Sequence, residues 1–179
     1  PRGIGILVKA RNVKLEPMLY GGDQEFGLRA GTTNTSAILG LAQAFEVIEK
    51  EKDSHLKYLE ILKDYAYEKI IEVVPGIIYN GDFENSVPNI LNFSFPKIES
   101  ELLVLELDAR GIAVSSKSAC KSDDPDESYV LKALGKTESD QTSGSIRISF
   151  GLHTKRADID ILVKSLKEIY KKFGEPFLR

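Results

Sequence analysis

The chain has 179 residues, 42% of them hydrophobic, and a formal net charge of −3 at pH 7. This length suffices for one domain with a real core, or for one domain and part of another. The sequence has no apolar run near the ~20 residues of a membrane helix and no basic stripe, which argues against a membrane and against nucleic acid as partners. One cysteine excludes an internal disulfide, and with His55 and His153 it forms no metal-binding motif. We therefore expect a reducing, cytoplasmic setting.

The N-terminal part of the sequence joins a short apolar run to a glycine-rich loop. Residues 3–8 combine glycines with aliphatic side chains, which predicts a buried strand. The loop at residues 21–34 leads into a predicted helix, for which Thr33, Asn34 and Thr35 are candidate caps. Backbone N–H groups at that helix start can bind an anion, although an ordinary capped helix after a surface loop fits the same residues.

The rest of the sequence predicts helices that alternate with strands. In chain order these are a helix after residue 33, a helix at 54–73, strands at 77–79 and 88–96, a helix capped by Ser100 and closed by Gly111, a strand at 112–114, a helix at 124–135, a strand at 145–150 and a last helix capped by Thr154. This order predicts an α/β (α+β) domain with a sheet of three or four strands, mostly antiparallel, covered by helices on one face.

The only cysteine, Cys120, lies in a polar loop between a predicted strand and a predicted helix. Lys117 and Lys121 flank it, and nearby positive charge favours the reactive thiolate form. The carboxylates at residues 123–126 act in the opposite direction. Since a lone cysteine is often a small buried hydrophobe, the residues alone leave a nucleophile and a structural thiol both open.

A second candidate for chemistry lies in the strand predicted at residues 145–150. Apolar and polar side chains alternate there, which is typical of a half-buried strand. Arg147 is on the polar face, where its planar guanidinium can bind a carboxylate through two parallel hydrogen bonds. An exposed strand arginine without a ligand fits the same pattern.

Several motifs, in the same order along the chain, resemble those of the NifS/IscS-like cysteine desulfurases, within the class V aminotransferases. They are Pro-Arg-Gly-Ile-Gly at residues 1–5, the glycine-rich loop at 21–34, Pro-Asn-Ile-Leu-Asn-Phe-Ser-Phe at 88–95, the cysteine loop at 115–122 with the helix after it, and Ser-Ile-Arg-Ile-Ser-Phe-Gly at 145–151. The sequence departs from the family pattern at Asp23, Phe26, Ala30, Lys117 and Lys121.

This resemblance implies the aspartate aminotransferase-like fold of enzymes that use pyridoxal 5′-phosphate. Residues 1–35 would then be the end of the large cofactor-binding domain, and residues 36–179 the small C-terminal domain that carries the cysteine loop. The chain would start just after the lysine that anchors the cofactor. Thr32 would contact the phosphate of the cofactor held by the other subunit of a homodimer.

The resemblance also implies a reaction. Arg147 would hold the α-carboxylate of L-cysteine, and Cys120 would take its sulfur as a persulfide with release of L-alanine. The sulfur would pass to an acceptor, such as a scaffold protein of iron–sulfur cluster assembly. We expect the chain to be inactive without an N-terminal half that supplies the anchoring lysine. Two alternatives are a non-catalytic persulfide carrier or interaction module, and a selenocysteine lyase-like enzyme of the same fold.

Overall fold

The structure is a computed structural model that describes residues 2–95, 97–116, 128–135 and 144–174. The chain divides into two compact units, a first unit at Pro1–Asp53 and a second unit at Ser54–Arg179. The predicted assignment of residues 1–35 to a larger cofactor domain stays a prediction. Within the described residues, no helix has the length and apolar character needed to cross a membrane.

The first unit lacks the strand predicted at residues 3–8. Those residues have no regular secondary structure, and the side chains of Ile6, Leu7 and Val8 are 62%, 77% and 88% exposed. A strand needs a hydrogen-bonded neighbour, and the described part of this unit contains no second strand to supply one. The apolar run alone was therefore not sufficient to predict its structure.

Helix α1 (Thr35–Val73) is one element of 39 residues where the sequence predicted two helices. The polar stretch between the two predicted helices, residues 49–54, contains neither glycine nor proline. A charged pair one turn apart, Lys52 and Glu49 with 2.9 Å between Nζ and Oε1, also lies there. Since nothing in this stretch breaks a helix, the loss of the apolar pattern marks only a solvated face.

Within the described part of the second unit, four short strands form one sheet. They are β1 (Ile78–Tyr79), β2 (Ile90–Ser94), β3 (Ser115–Ser116) and β4 (Ser145–Ser149). Their spatial order is β1-β2-β4-β3, and every neighbouring pair is antiparallel. The predicted strand number and pairing are confirmed.

One face of the sheet packs against helices and holds the core. From the sheet, Leu91, Phe93, Ile146 and Ile148 are at most 4% exposed. Removing each such side chain from water contributes about 1.5–3 kcal/mol to folding. The helical residues of the same cluster come from the C-terminal half of α1, from α2 (Ser100–Asp108) and from α4 (Arg156–Phe173): Leu62, Ala66, Ile70, Leu103, Leu107, Ile159, Leu162, Val163, Leu166 and Ile169.

The link between α2 and the sheet differs from the prediction. Gly111 has φ +76° and closes the helix as predicted, but the Ile112 N–H still donates to the Leu107 carbonyl at 3.0 Å. This bond is the helix-ending pattern that a left-handed glycine permits. Ile112 therefore completes the helix end, residues 113–114 have no regular secondary structure, and pairing with β4 begins only at Ser115.

Two predicted helix caps are one residue from the observed ones. Helix α2 begins at Ser100 with Glu99 as its N-cap, and α4 begins at Arg156 with Lys155 as its N-cap. The Asp158 carboxylate accepts the Lys155 backbone N–H at 2.8 Å, which satisfies a donor at the start of α4. Helix α3 (Tyr129–Ala133) confirms the end of the helix predicted at 124–135, closed by Gly135 with φ +72°. It begins at Tyr129 with Ser128 as its N-cap, later than the start predicted at Asp124, a residue that lies outside the described ones.

An ion triad joins α2 to α4 and makes stability depend on pH. Glu106 lies 2.6 Å from Arg110 Nη1 and 3.1 Å from Lys172 Nζ, and the hydrogen bond from Arg110, followed by that from Lys172, lowers the pKa of Glu106. A carboxyl with a depressed folded pKa stabilises the fold above its unfolded pKa, about 4.3. That contribution disappears as the pH falls through the lower, folded value.

We expect Glu106→Gln to lower the free energy of unfolding slightly at neutral pH. The difference from the parent chain should shrink below about pH 4.3, because the protonated carboxyl also lacks the charge. Urea denaturation at a series of pH values measures this. Glu168→Gln, at an exposed position of α4, is the control, and a difference that stayed constant down to pH 3 would contradict the assignment.

Candidate functional site

Arg147 lies on the sheet face opposite the helices. It is exposed on β4, whereas its neighbours Ile146 and Ile148 point into the core. Within the described residues, no Asp or Glu carboxylate pairs with its guanidinium. Among the described residues, the structure thus places a cation with a planar donor fork and no acidic partner on an accessible surface, which suits binding of a carboxylate from solution.

Four polar residues line up across the sheet on this face, and we call them the polar row: Asn80, Asn92, Arg147 and Ser115. Asn92 and Ser115 are the register partners of Arg147 on β2 and β3. Asn80 follows β1, and its backbone N–H donates to the Asn92 carbonyl at 2.9 Å. Arg147 therefore has a polar side chain next to it on each side.

The β1–β2 end of the polar row is tied into a buried hydrogen-bond network. The Asn80 amide donates to Asn92 Oδ1 at 2.8 Å and to Ser94 Oγ at 2.7 Å, and Ser145 Oγ is 3.0 Å from Asn92 Oδ1. Asn80, Ser94 and Ser145 are at most 6% exposed. Asn80 Oδ1 is the one buried side-chain polar atom without a partner among the described residues. This network holds β1, β2 and β4 together beside Arg147.

The other neighbour contacts the guanidinium directly. Arg147 Nη2 donates to Ser115 Oγ at 3.3 Å, between side chains 32 residues apart in sequence. Ser115 is half-buried, so its hydroxyl is held at the edge of the exposed surface. The substrate residue predicted from sequence therefore has a partner that sequence reasoning did not identify.

Thr32 lies in the first unit, in an exposed loop just before α1. Asn34 is the cap of that helix, because its Oδ1 accepts the Ala37 N–H at 3.1 Å. Gly31, next to Thr32, has φ +111°, which L side chains rarely adopt, and its N–H donates to Gln24 Oε1 at 3.2 Å. Thr32 is thus presented between a constrained glycine and a helix N-terminus.

The third predicted site residue, Cys120, lies outside the described residues, as do Lys117 and Lys121. The predicted roles of Cys120, Arg147 and Thr32 stay predictions. Over the residues that are described, no group of three or more His, Cys, Asp or Glu side chains could hold a metal ion.

Sequence reasoning identified Arg147 but not the other three members of the polar row. For one of them, Asn92, the sequence did contain a signal. Asn92 alternates with the core residues Leu91 and Phe93, so its side chain lies on the opposite face of the sheet, which is also the face of Arg147. Which residues stand opposite each other depends on strand register, and a sequence does not give the register of strands far apart in the chain.

Comparison with known proteins shows which family the chain resembles. The Aminotransferase class-V family model matches residues 1–162. The chain is 36% identical over 172 residues to a cysteine desulfurase IscS from Dictyoglomus turgidum, and 37% identical over 172 residues to a putative cysteine desulfurase IscS 1 from Bacillus subtilis. These matches cover 96% of the chain but only 43% and 45% of the two relatives.

A solved structure described as a NifS-like protein is similar with a TM-score of 0.77 and 31% sequence identity. The match covers 91% of this chain and 41% of that one, which confirms the predicted fold. The chain therefore belongs to the class-V aminotransferase family, and the relatives that it resembles there are NifS/IscS-like cysteine desulfurases.

Proposed function

We propose that this chain is the C-terminal portion of a pyridoxal phosphate-dependent cysteine desulfurase. The observation that carries the proposal is Arg147, an exposed arginine in the middle of the polar row, with no carboxylate partner among the described residues. A free amino acid is recognised by its carboxylate, and the guanidinium fork matches that group. Resemblance to cysteine desulfurases selects L-cysteine as the amino acid.

The residues around Thr32 fit the phosphate of the cofactor. Thr32, Thr33, Thr35 and Ser36 supply four hydroxyls beside the N-terminus of α1. A helix N-terminus carries a partial positive charge and N–H donors, which suit a phosphate. When bound, pyridoxal phosphate withdraws electrons from the amino acid and so weakens its carbon–sulfur bond. In the proposal, Thr32 contacts the phosphate in a partner subunit of a homodimer.

Cys120 is the sulfur acceptor in this proposal. Its thiolate attacks the sulfur of L-cysteine, so one S–S bond forms as one C–S bond breaks. The enzyme keeps the sulfur as a Cys120 persulfide, and the remaining three-carbon skeleton takes up a proton and leaves as L-alanine. Arg147 holds the carboxylate throughout and so fixes the position of the sulfur.

The proposal extends to the setting of the enzyme. The chain spans about 43% of the length of the cysteine desulfurases it matches, so the anchoring lysine would come from an N-terminal half. We also place the enzyme in the cytoplasm, because a persulfide is stable only under controlled redox conditions. The sulfur then has to be handed on, and the proposed acceptor is a protein of iron–sulfur cluster assembly.

Release of alanine from L-cysteine tests the proposed function. The chain would be combined with an N-terminal half from a NifS/IscS-like relative, with pyridoxal phosphate and with a dithiol reductant, which reduces the Cys120 persulfide to thiol and sulfide; alanine and sulfide would be measured. We expect both products from the mixture and neither from the chain alone. Turnover of selenocysteine but not of cysteine would favour a selenocysteine lyase. Loading of Cys120 by a separate persulfide donor, without alanine, would favour a carrier.

A further inference from the structure

Ser115 contacts Arg147, the exposed cation to which the proposed function assigns the substrate carboxylate. Its hydroxyl oxygen accepts a hydrogen bond from Arg147 Nη2 at 3.3 Å. The two residues are direct register partners on β3 and β4, so their Cβ atoms are neighbours on the same face. The backbone ladder itself therefore sets this contact.

An exposed arginine loses conformational entropy when it binds a ligand, because its long side chain has many rotamers in the free state. A hydrogen bond that already holds one end of the guanidinium reduces that cost. Arginine has five N–H donors, so one can serve Ser115 while others face a carboxylate. The Ser115 hydroxyl can thus restrict the guanidinium without occupying all of its donors.

We propose that Ser115 is a positioning residue, which holds the Arg147 guanidinium in the orientation that receives the α-carboxylate of the amino-acid substrate. This inference rests on the proposed function of Arg147. Ser115 acts through Arg147 and does not itself take part in sulfur transfer. Its loss should therefore affect recognition of the carboxylate and leave the later steps unchanged.

The chain supplies a matched control on the same strand. Ser116 is the next residue of β3 and pairs with Ile146, whose side chain points into the core, so Ser116 faces away from Arg147. Ser115→Ala and Ser116→Ala delete the same atom from adjacent positions. Ser115→Thr keeps a hydroxyl at the Arg147 side and suits a strand.

The test uses the complete, cofactor-loaded enzyme formed with an N-terminal half. We expect Ser115→Ala to raise KM for L-cysteine about fivefold with little change in kcat, the effect of losing one long hydrogen bond to a charged group. Ser115→Thr should restore most of the affinity, and Ser116→Ala should behave as the parent. Inhibition by cysteamine, which is cysteine without its carboxylate, should be the same in Ser115→Ala and in the parent.

The outcomes separate this inference from the proposed function. If Arg147→Ala raises KM and Ser115→Ala does not, Ser115 has no positioning role although the proposed function stands. If Ser115→Ala weakens the binding of cysteamine and of cysteine by the same factor, its effect is a general structural one and the inference is overturned. If Arg147→Ala leaves KM unchanged, the carboxylate role of Arg147 is wrong, and the inference is wrong with it.

Discussion

Arg147→Ala should reduce kcat/KM for L-cysteine by about a hundredfold or more in the reconstituted enzyme, because a charged, two-pronged hydrogen bond to the carboxylate is lost. Arg147 is exposed and has no carboxylate partner within the described residues, so its removal leaves no buried charge behind. The loss should therefore appear in substrate recognition and not in folding. Steady-state kinetics with alanine detection measures it, and the thermal unfolding midpoint of the variant should match the parent.

Two further variants test this prediction: one separates the charge of Arg147 from its geometry, and the other is a control at a distant arginine. Arg147→Lys keeps the positive charge but loses the planar fork, so we expect an intermediate loss of about tenfold. Arg156→Ala removes an arginine from α4, on the other side of the sheet, where it lies 5.1 Å from the Tyr65 ring. It should leave kcat/KM unchanged. Equal losses for Arg147→Ala and Arg156→Ala would show that neither effect reports on the substrate.

Gly144→Ala should lower the free energy of unfolding by about 3 kcal/mol, the upper range for overpacking a site that cannot relax. A Cβ atom at Gly144 would lie inside contact distance of the backbone carbonyl oxygens of Ile98 and Phe95. Backbone atoms cannot rotate away as a side-chain end can. The Gly144 carbonyl also accepts the Phe95 N–H at 3.2 Å, which continues the β2–β4 ladder by one pair.

Gly151→Ala is the matched control, because a Cβ atom there meets nothing within 4 Å. Urea denaturation followed by far-UV circular dichroism gives both free energies. We expect the free energy of unfolding of Gly144→Ala to fall clearly and that of Gly151→Ala to stay within about 0.5 kcal/mol of the parent value. Since Gly144 immediately precedes the strand that carries Arg147, any Gly144→Ala enzyme that still folds should also bind L-cysteine more weakly. Equal stability of the two variants would contradict the close approach.

Alternation and helical spacing predicted most of the second unit correctly. Strands β2 and β4 follow from regular alternation, and α4 follows from an apolar stripe. These patterns are reliable because one face of each element is buried in the same core. The predicted position of β3 was wrong: residues 112–114 are apolar, but Ile112 completes the end of α2 and residues 113–114 form no strand.

The first unit was predicted less well, for a physical reason. At residues 3–8 the sequence carries the composition of a strand, but a strand exists only with a partner. The polar row shows the same limit in the site. Arg147 could be named from its type and its strand, whereas Ser115 became its partner only through the register of strands that lie 32 residues apart in sequence.

Transfer of sulfur to Cys120 is the central claim, and an intact-mass spectrum tests it most directly. The chain would be incubated with L-cysteine and pyridoxal phosphate, alone and with an N-terminal half, alongside the Cys120→Ser variant. The account predicts one added sulfur atom on the parent chain in the complemented mixture, none on the chain alone and none on Cys120→Ser. A folded, complemented enzyme that released alanine without adding sulfur to Cys120, or that loaded the Cys120→Ser variant equally, would contradict it.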